Sequence, residues 1–219
     1  MSEEVLIPKM TRKTYSKKKF RISFLNLILI LFCTLLIICA SFVNLDIRHY
    51  ILPSDLFTNK NLTGNDFVFR FFIIPQIPTI MFICSFLGRK MALASILIYI
   101  LLGFFLPIFA LGGGLAYFFE YGFGYILAYI PAVIIAGKLL NKYSFLDMLK
   151  ATLAGVFTIH IIGILYMILV ALCKQIGGEF IAGWIVAQSG LKIVYDLIMS
   201  FLLIMIGKYI HKALKFVLE

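Results

Sequence analysis

Residues 88–125 read GRKMALASILIYILLGFFLPIFALGGGLAYFFEYGFGY. A Gly-Arg-Lys turn opens the stretch, and an apolar run from Met91 to Leu106 follows. Then come Pro107 and the glycine cluster Gly112, Gly113 and Gly114. The stretch closes on Gly122, Gly124 and Tyr125 as the next apolar run begins. Glu120 is the single charge between Lys90 and Lys138, whereas a loop in water normally carries several. The pattern predicts two membrane spans joined by a glycine-rich re-entry. Irregular backbone at membrane depth persists only where protein or a water-filled cavity satisfies its polar groups, so this stretch is the first place to expect a ligand pocket.

The rest of the chain fits a membrane protein. Of 219 residues, 63% are hydrophobic, and the mean hydropathy is +1.05; soluble domains carry about 45–50% apolar residues. A span takes ~20 apolar residues, so the length holds roughly six helices and no separate soluble domain. Spans are expected at about 22–43, 67–87, 91–109, 121–137, 149–173 and 181–210, with tails at 1–21 and 212–219. The fold class expected is all-α. Cys33, Cys39, Cys84 and Cys173 lie in apolar runs without a CxxC pair and read as small core residues. A basic region of about 20 residues before a first run of spanning length does not fit a signal peptide. Ile38 before Cys39 does not fit a lipoprotein cleavage site.

The net charge of +10 would suggest nucleic acid in a soluble protein. Its distribution gives a different reading. Seven Lys/Arg precede the first span. Arg89 and Lys90 follow the second, Lys138, Lys142 and Lys150 lie between the fourth and fifth, and Lys208, Lys212 and Lys215 follow the sixth. These are 15 of the 20 basic residues, on alternate connections. The positive-inside rule then places both termini in the cytoplasm, in a multi-pass protein of the cell membrane with no nucleic-acid partner. The basic tail, with Lys17, Lys18, Lys19 and Arg21, would meet anionic lipid. The longest polar connection, residues 44–66, shares the outer face with the glycine cluster. Its middle, His49 to Leu56, reads as a short surface helix or lid, and Asn61-Leu62-Thr63 is a glycosylation sequon.

Within spans, ionisable and kink-forming residues point to function. Pro75 and Pro78 flank Gln76 in the second span and predict a kinked helix bordering a cavity. His160, Lys192 and Asp196 lie inside spans, where charge is costly. Lys192 and Asp196 are i,i+4 neighbours: either they neutralise each other, or they face a pocket where Lys192 meets a ligand carboxylate. His160 reads as a core histidine or as a functional one. No other residues stand at metal-ligand spacing with it. GxxxxGK[ST], GxSxG and HExxH are all missing from the sequence. Binding and transport fit better than catalysis, with a membrane enzyme using His160 as an alternative.

At these residues the chain resembles the BioY family, the biotin-specific S component of energy-coupling-factor (ECF) transporters. That family carries G-P-R-x-G-A-x-S-x-x-x-Y-L-L-L-G, then L-P-V-F, a glycine cluster and P-T-G-G-Y. Here Gly88, Lys90, Ala92, Ser95, Tyr99, Leu101, Leu102 and Gly103 fall in register. Leu106-Pro107-Ile108-Phe109, the cluster at Gly112 and Gly124-Tyr125 follow. Gln76 falls on the glutamine of the family's P-I-T-L-Q, Gly155 and Gly163 bracket the fifth span, and His160 stands where a tyrosine is usual. Asp196 matches the aspartate of G-D-x-x-K. The chain departs at Lys90 for arginine, at Tyr121-Gly122-Phe123-Gly124-Tyr125 for P-T-G-G-Y, and at Met199 for the motif's lysine. Lys192 lies about 20° around the helix from position 199 and roughly 10 Å nearer the outside.

The resemblance implies a substrate-binding subunit for biotin or another small carboxylate vitamin. Gln76, Gly112, Gly113, Gly114, Tyr125, His160, Lys192 and Asp196 would form the site, under a lid from 44–66. Arg89 and Lys90 would meet partners: a transmembrane coupling subunit and two ATPase subunits that use ATP, with no cofactor in this chain. A scaffold that keeps the fold without the ligand is a further alternative.

Overall fold

The computed structural model describes residues 24–50, 64–140 and 144–218. Seven α-helices fill it: α1 Phe24–Phe42, α2 Gln76–Leu87, α3 Arg89–Gly103, α4 Phe123–Leu139, α5 Phe145–Cys173, α6 Gly178–Ser189 and α7 Lys192–Leu218. Two strands, β1 Leu45–Tyr50 and β2 Val68–Ile73, pair antiparallel with Leu45 opposite Ile73 and Tyr50 opposite Val68. The basic tail, residues 51–56 of the expected lid, the sequon and Lys142 lie outside the described residues.

Among the described residues three helical stretches are long and apolar enough to cross a membrane: Phe24–Phe42, Phe145–Cys173 and Gly178–Ala213. The last is not one straight helix. Gly190, at φ −66° and ψ −113°, breaks it between α6 and α7, which corrects the single span expected at 181–210. Leu165, Leu169 and Leu172 on α5 and Ile198, Leu202 and Ile206 on α7 stand exposed. Apolar rows of this kind belong against lipid, and the chain is a membrane protein.

The centre of the bundle is α2. Ten of its twelve residues are buried, as expected for a helix apolar on all sides. It touches α1, α3, α4, α5 and α7, while α4 runs along α5 and α1 along α3. The expected span at 67–87 divides in two: residues 68–73 form β2, and the helix begins only at Gln76. Pro75 is its N-cap and Pro78 lies in its first turn, where the missing N–H costs nothing. The two prolines therefore start the helix and do not kink it.

The third span ends at Gly103, not 109, and α4 starts at Phe123. Between them the backbone folds on itself. Phe109 and Gly112 exchange N–H···O bonds of 2.8 and 3.1 Å, and the Gly114 N–H reaches the Gly103 carbonyl at 2.8 Å. Gly112 at φ +134° and Gly114 at φ +87° hold backbone that side chains rarely adopt. A Cβ at Gly113 would overlap the Leu106 carbonyl. The fully buried Phe109 ring plugs the turn, 4.9 Å from Tyr117 and 5.3 Å from Tyr99. A short 3₁₀ helix at Leu115–Phe119 leads into α4. Ser144 caps α5 by accepting from the Asp147 N–H at 3.1 Å, so α5 starts four residues before the expected 149. At the other end α7 continues to Leu218, through the stretch expected as a tail.

Candidate functional site

A cavity of about 110 Å³ opens between α2, the 104–122 turn, α4, α6 and the start of α7. Its polar wall is Gln76, Tyr117, Tyr125, Tyr129, Gln188 and Lys192, with Trp184 as its large indole. Ile74, Ile77, Ala110, Leu111, Gly122 and Ile126 complete it. An aromatic, mostly apolar wall with a few fixed polar groups is the usual make-up of a small-molecule site.

One polar cluster forms behind Gln76. Its Nε2 donates to Ser41 Oγ at 2.6 Å and to Tyr99 OH at 2.8 Å, and Tyr129 OH donates to its Oε1 at 3.0 Å. Ser41 in turn donates to the Ile37 carbonyl at 3.0 Å, so it accepts from Tyr99 at 3.1 Å. Both amide N–H groups of Gln76 are therefore spent inside the protein, leaving one lone pair of Oε1 for anything in the cavity.

A second cluster crosses four helices. Tyr125 OH lies 2.8 Å from Ser189 Oγ. Ser189 Oγ lies 2.9 Å from His160 Nδ1, and His160 Nε2 lies 3.2 Å from Asp196 Oδ2. A neutral ring that donates from Nε2 to the carboxylate accepts at Nδ1. Ser189 then donates to His160, and Tyr125 donates to Ser189. Gly163 makes room for this: a Cβ there would stand 2.5 Å from the Tyr125 ring. Asp196 is fully buried, yet its Oδ1 has no partner among the described residues. Ser200 Oγ, one turn further along α7, has none among them either.

Of the two readings left open for Lys192 and Asp196, mutual neutralisation finds no ion pair between them among the described residues. Lys192 Nζ points toward Gln188 Oε1 at 3.4 Å, a weak bond that leaves most of its donor capacity facing the cavity. Trp184 Nε1 is also buried without a partner among the described residues. Beside Trp184, Tyr121 lies at a tilt against Phe180 at 5.0 Å and Trp184 at 5.4 Å, and Lys174 Nζ sits 4.5 Å above its ring. In the turn, burial and then the nearby Glu120 push the Tyr117 phenol up to about 12, so Tyr117 enters the cavity as a neutral hydroxyl.

Of the residues expected at the site, Gln76, Tyr125 and Lys192 line the cavity. His160 and Asp196 stand behind Tyr125. Gly112, Gly113 and Gly114 shape the turn that presents Ala110 and Leu111 and are not themselves wall residues. Met199 lies off the wall. Arg89 and Lys90 are exposed on the α2–α3 turn. Sequence reasoning passed over Ser41, Tyr117, Tyr129, Trp184, Gln188 and Ser189. Tyr129 was within reach, being i+4 from Tyr125, and Trp184 is the only tryptophan in the chain.

Ser189, His160 and Asp196 have the residue types of a hydrolase triad. Ser189 is buried behind Tyr125, however, its hydroxyl is committed to His160, and it does not line the cavity. A substrate carbonyl in the cavity would meet Tyr125 and not Ser189. Among the described residues no group of three His, Cys, Asp or Glu side chains could hold a metal.

No curated protein matches the sequence. Among solved structures the fold is similar to the S-component for biotin from an ECF-type ABC transporter. The TM-score is 0.61 at 21% identity, covering 85% of this chain and 90% of that one. At that identity the likeness speaks for the fold. The family comparison covers far more than the motifs around the glycine cluster: with residues 12–216 matched, the chain belongs to the BioY family.

Proposed function

We propose that this chain is the substrate-binding subunit of an ECF-type vitamin importer of the cell membrane, and that its ligand is biotin. The observation that carries the reading is Lys192. An ammonium inside a span is expensive, and here it faces a cavity with, among the described residues, only a 3.4 Å contact to Gln188. A ligand carboxylate is the group that would satisfy it. Tyr117, Tyr125, Tyr129 and Trp184 supply flat apolar faces for the remainder, and the phenol oxygens and the Trp184 N–H offer hydrogen bonds to polar ring atoms. The family membership and the biotin-binding neighbour of the same fold support the choice of ligand.

Pockets for ligands of this size usually span ~300–1,000 Å³, against about 110 Å³ here. Entry therefore requires the wall to yield. The movable parts are the 104–122 turn, with Leu111 and Tyr117, and α6, with Trp184 and Gln188. The resemblance further implies cytoplasmic termini, a transmembrane coupling subunit that meets Arg89 and Lys90, and two ATPase subunits that spend ATP on release inward.

Titration calorimetry of biotin against the detergent-purified chain tests the reading. Saturable binding that Lys192→Met weakens supports it. Folded protein that binds no biotin but binds another carboxylate vitamin would move the ligand assignment, a reading that Met199 in place of the family's lysine favours. Protein that binds none would leave a scaffold.

A further inference from the structure

We propose that the anionic ligand binds together with one proton, taken up from water by His160. The inference rests on the reading of the cavity given above, in which the ligand's carboxylate meets Lys192.

Charge balance is the first argument. Within the spans around the cavity stand one cation, Lys192, and one anion, Asp196, four residues apart on α7; beside the 104–122 turn, Glu120 near Tyr117 and Lys174 over Tyr121 add one charge of each sign and leave the balance unchanged. Bringing a carboxylate to Lys192 leaves the region one negative charge in excess, in a part of the protein where uncompensated charge is heavily penalised. Asp196 is poorly supplied for that situation. Among the described residues it receives one hydrogen bond, from His160 at 3.2 Å, and its other oxygen has no partner. A proton on His160 restores neutrality at the nearest point and turns this contact into an ion pair.

Hydrogen-bond direction is the second argument. With neutral His160, donors run Tyr125 to Ser189, Ser189 to His160 and His160 to Asp196. Tyr125 then shows the cavity only an acceptor oxygen. Protonation puts a hydrogen on Nδ1, which must donate to Ser189 Oγ. The Ser189 hydroxyl turns to donate to Tyr125, and the Tyr125 hydroxyl hydrogen is freed toward the cavity. The chain of bonds reverses without any heavy atom moving, and the cavity gains a donor as the anion arrives.

Among the described residues, the Asp196 carboxyl is the neighbouring group that competes for the proton. Apart from the residues already placed, α4 presents Tyr129, which donates to Gln76. From α2 comes Cys84, whose thiol is directed at the Val133 carbonyl. On α5 itself, Tyr166 donates to the Phe118 carbonyl. Glu179 sits exposed at the far end of α6. His211 lies at the opposite end of α7, bonded to the Phe86 carbonyl at 2.7 Å.

The test is biotin binding to the full chain by calorimetry in phosphate and in Tris, two buffers of different ionisation enthalpy. The difference in heat counts protons. Uptake of about one proton per biotin is expected, with affinity falling about tenfold per pH unit as pH rises. The His160→Gln variant should take up none. Wild type binding biotinamide, which brings no charge, should also take up none and supplies the control if the variant does not fold. Biotin binding with no buffer dependence would overturn the proposal while leaving the transport reading intact. Proton uptake that survives in His160→Gln, or that accompanies the amide, would overturn it too. No biotin binding at all would overturn both.

Discussion

Lys192 and Asp196 stand one turn apart on α7 and turn to different partners: Lys192 Nζ to Gln188 Oε1 at 3.4 Å, Asp196 Oδ2 to His160 Nε2 at 3.2 Å. The opposite charges of an i,i+4 pair usually meet on the helix surface. Here the helix starts at Lys192, after the break at Gly190, and Lys192 lines the cavity. Asp196, one turn deeper, reaches the histidine on α5. The separation leaves one charge for the ligand and one for the protein interior.

The split makes a stability prediction. Asp196→Asn keeps an acceptor for His160 and should lower the unfolding temperature in detergent only slightly. Asp196→Ala removes the acceptor and leaves a buried N–H unpaired, at a cost of about 1–3 kcal/mol. Thermal unfolding of both variants should separate them. Equal loss would show that His160 does not depend on the carboxyl.

Two glycines should behave in opposite ways. Alanine at Gly163 pushes into the Tyr125 ring, so Gly163→Ala should cost about 1–3 kcal/mol as overpacking and weaken ligand binding through Tyr125. Nothing lies within 4 Å of a Cβ at Gly183 on α6. Gly183→Ala should therefore be neutral or stabilise by about 0.5–1 kcal/mol. Unfolding and binding curves for the two variants, measured side by side, check this. A harmless Gly163→Ala would mean that Tyr125 is not held where the structure puts it.

Gln76 is expected to matter for folding more than for ligand contact. Gln76→Leu takes a bond from Ser41, Tyr99 and Tyr129 together; Ser41 and Tyr99 keep each other, and the stranded Tyr129 hydroxyl costs about 1–3 kcal/mol. The variant should melt at lower temperature. At temperatures where it is folded, its affinity should fall less than that of Lys192→Met. The reverse order would return Gln76 to the role of a direct ligand contact.

Trp184 gives the protein an internal reporter. It is the only tryptophan and it lines the cavity, so ligand binding should change its fluorescence. Trp184→Phe keeps an aromatic wall and removes the unpartnered N–H. Its stability should be unchanged and its affinity lower, by a few-fold to about tenfold, the worth of one hydrogen bond. A saturating ligand that leaves the emission untouched would place the binding site elsewhere.

The fold was legible wherever composition decides it. Apolar runs of spanning length, the charge-poor turn around Gly112 and the motif residues from Gly88 to Tyr125 identified a membrane bundle of the right family. What escaped was set by tertiary contacts. Residues 68–73, VFRFFI, are as apolar as a helix, and only their pairing with 45–50 makes them a strand. Pro75 and Pro78 read as a kink because the start of α2 is invisible inside a continuous apolar run. Gly190 is one glycine among 16, and its backbone break could not be told from a tolerated helical glycine. The site was half legible for the same reason. Lys192, Asp196 and His160 stood out as ionisable residues inside spans. Ser189, which joins His160 to Tyr125 from 29 and 64 residues away, is an ordinary serine until the helices are assembled.

The central claim is that Lys192 holds a ligand carboxylate. Its most direct test is the affinity of biotin relative to biotinamide, measured by calorimetry on wild type and on Lys192→Met at one pH and salt concentration. A hydrogen bond to a charged group is worth about 1.5–3 kcal/mol, so wild type should prefer the acid by roughly ten- to a hundred-fold. Lys192→Met should bind acid and amide nearly alike. An acid preference of the same size in both proteins would contradict the account and move the carboxylate to another part of the cavity.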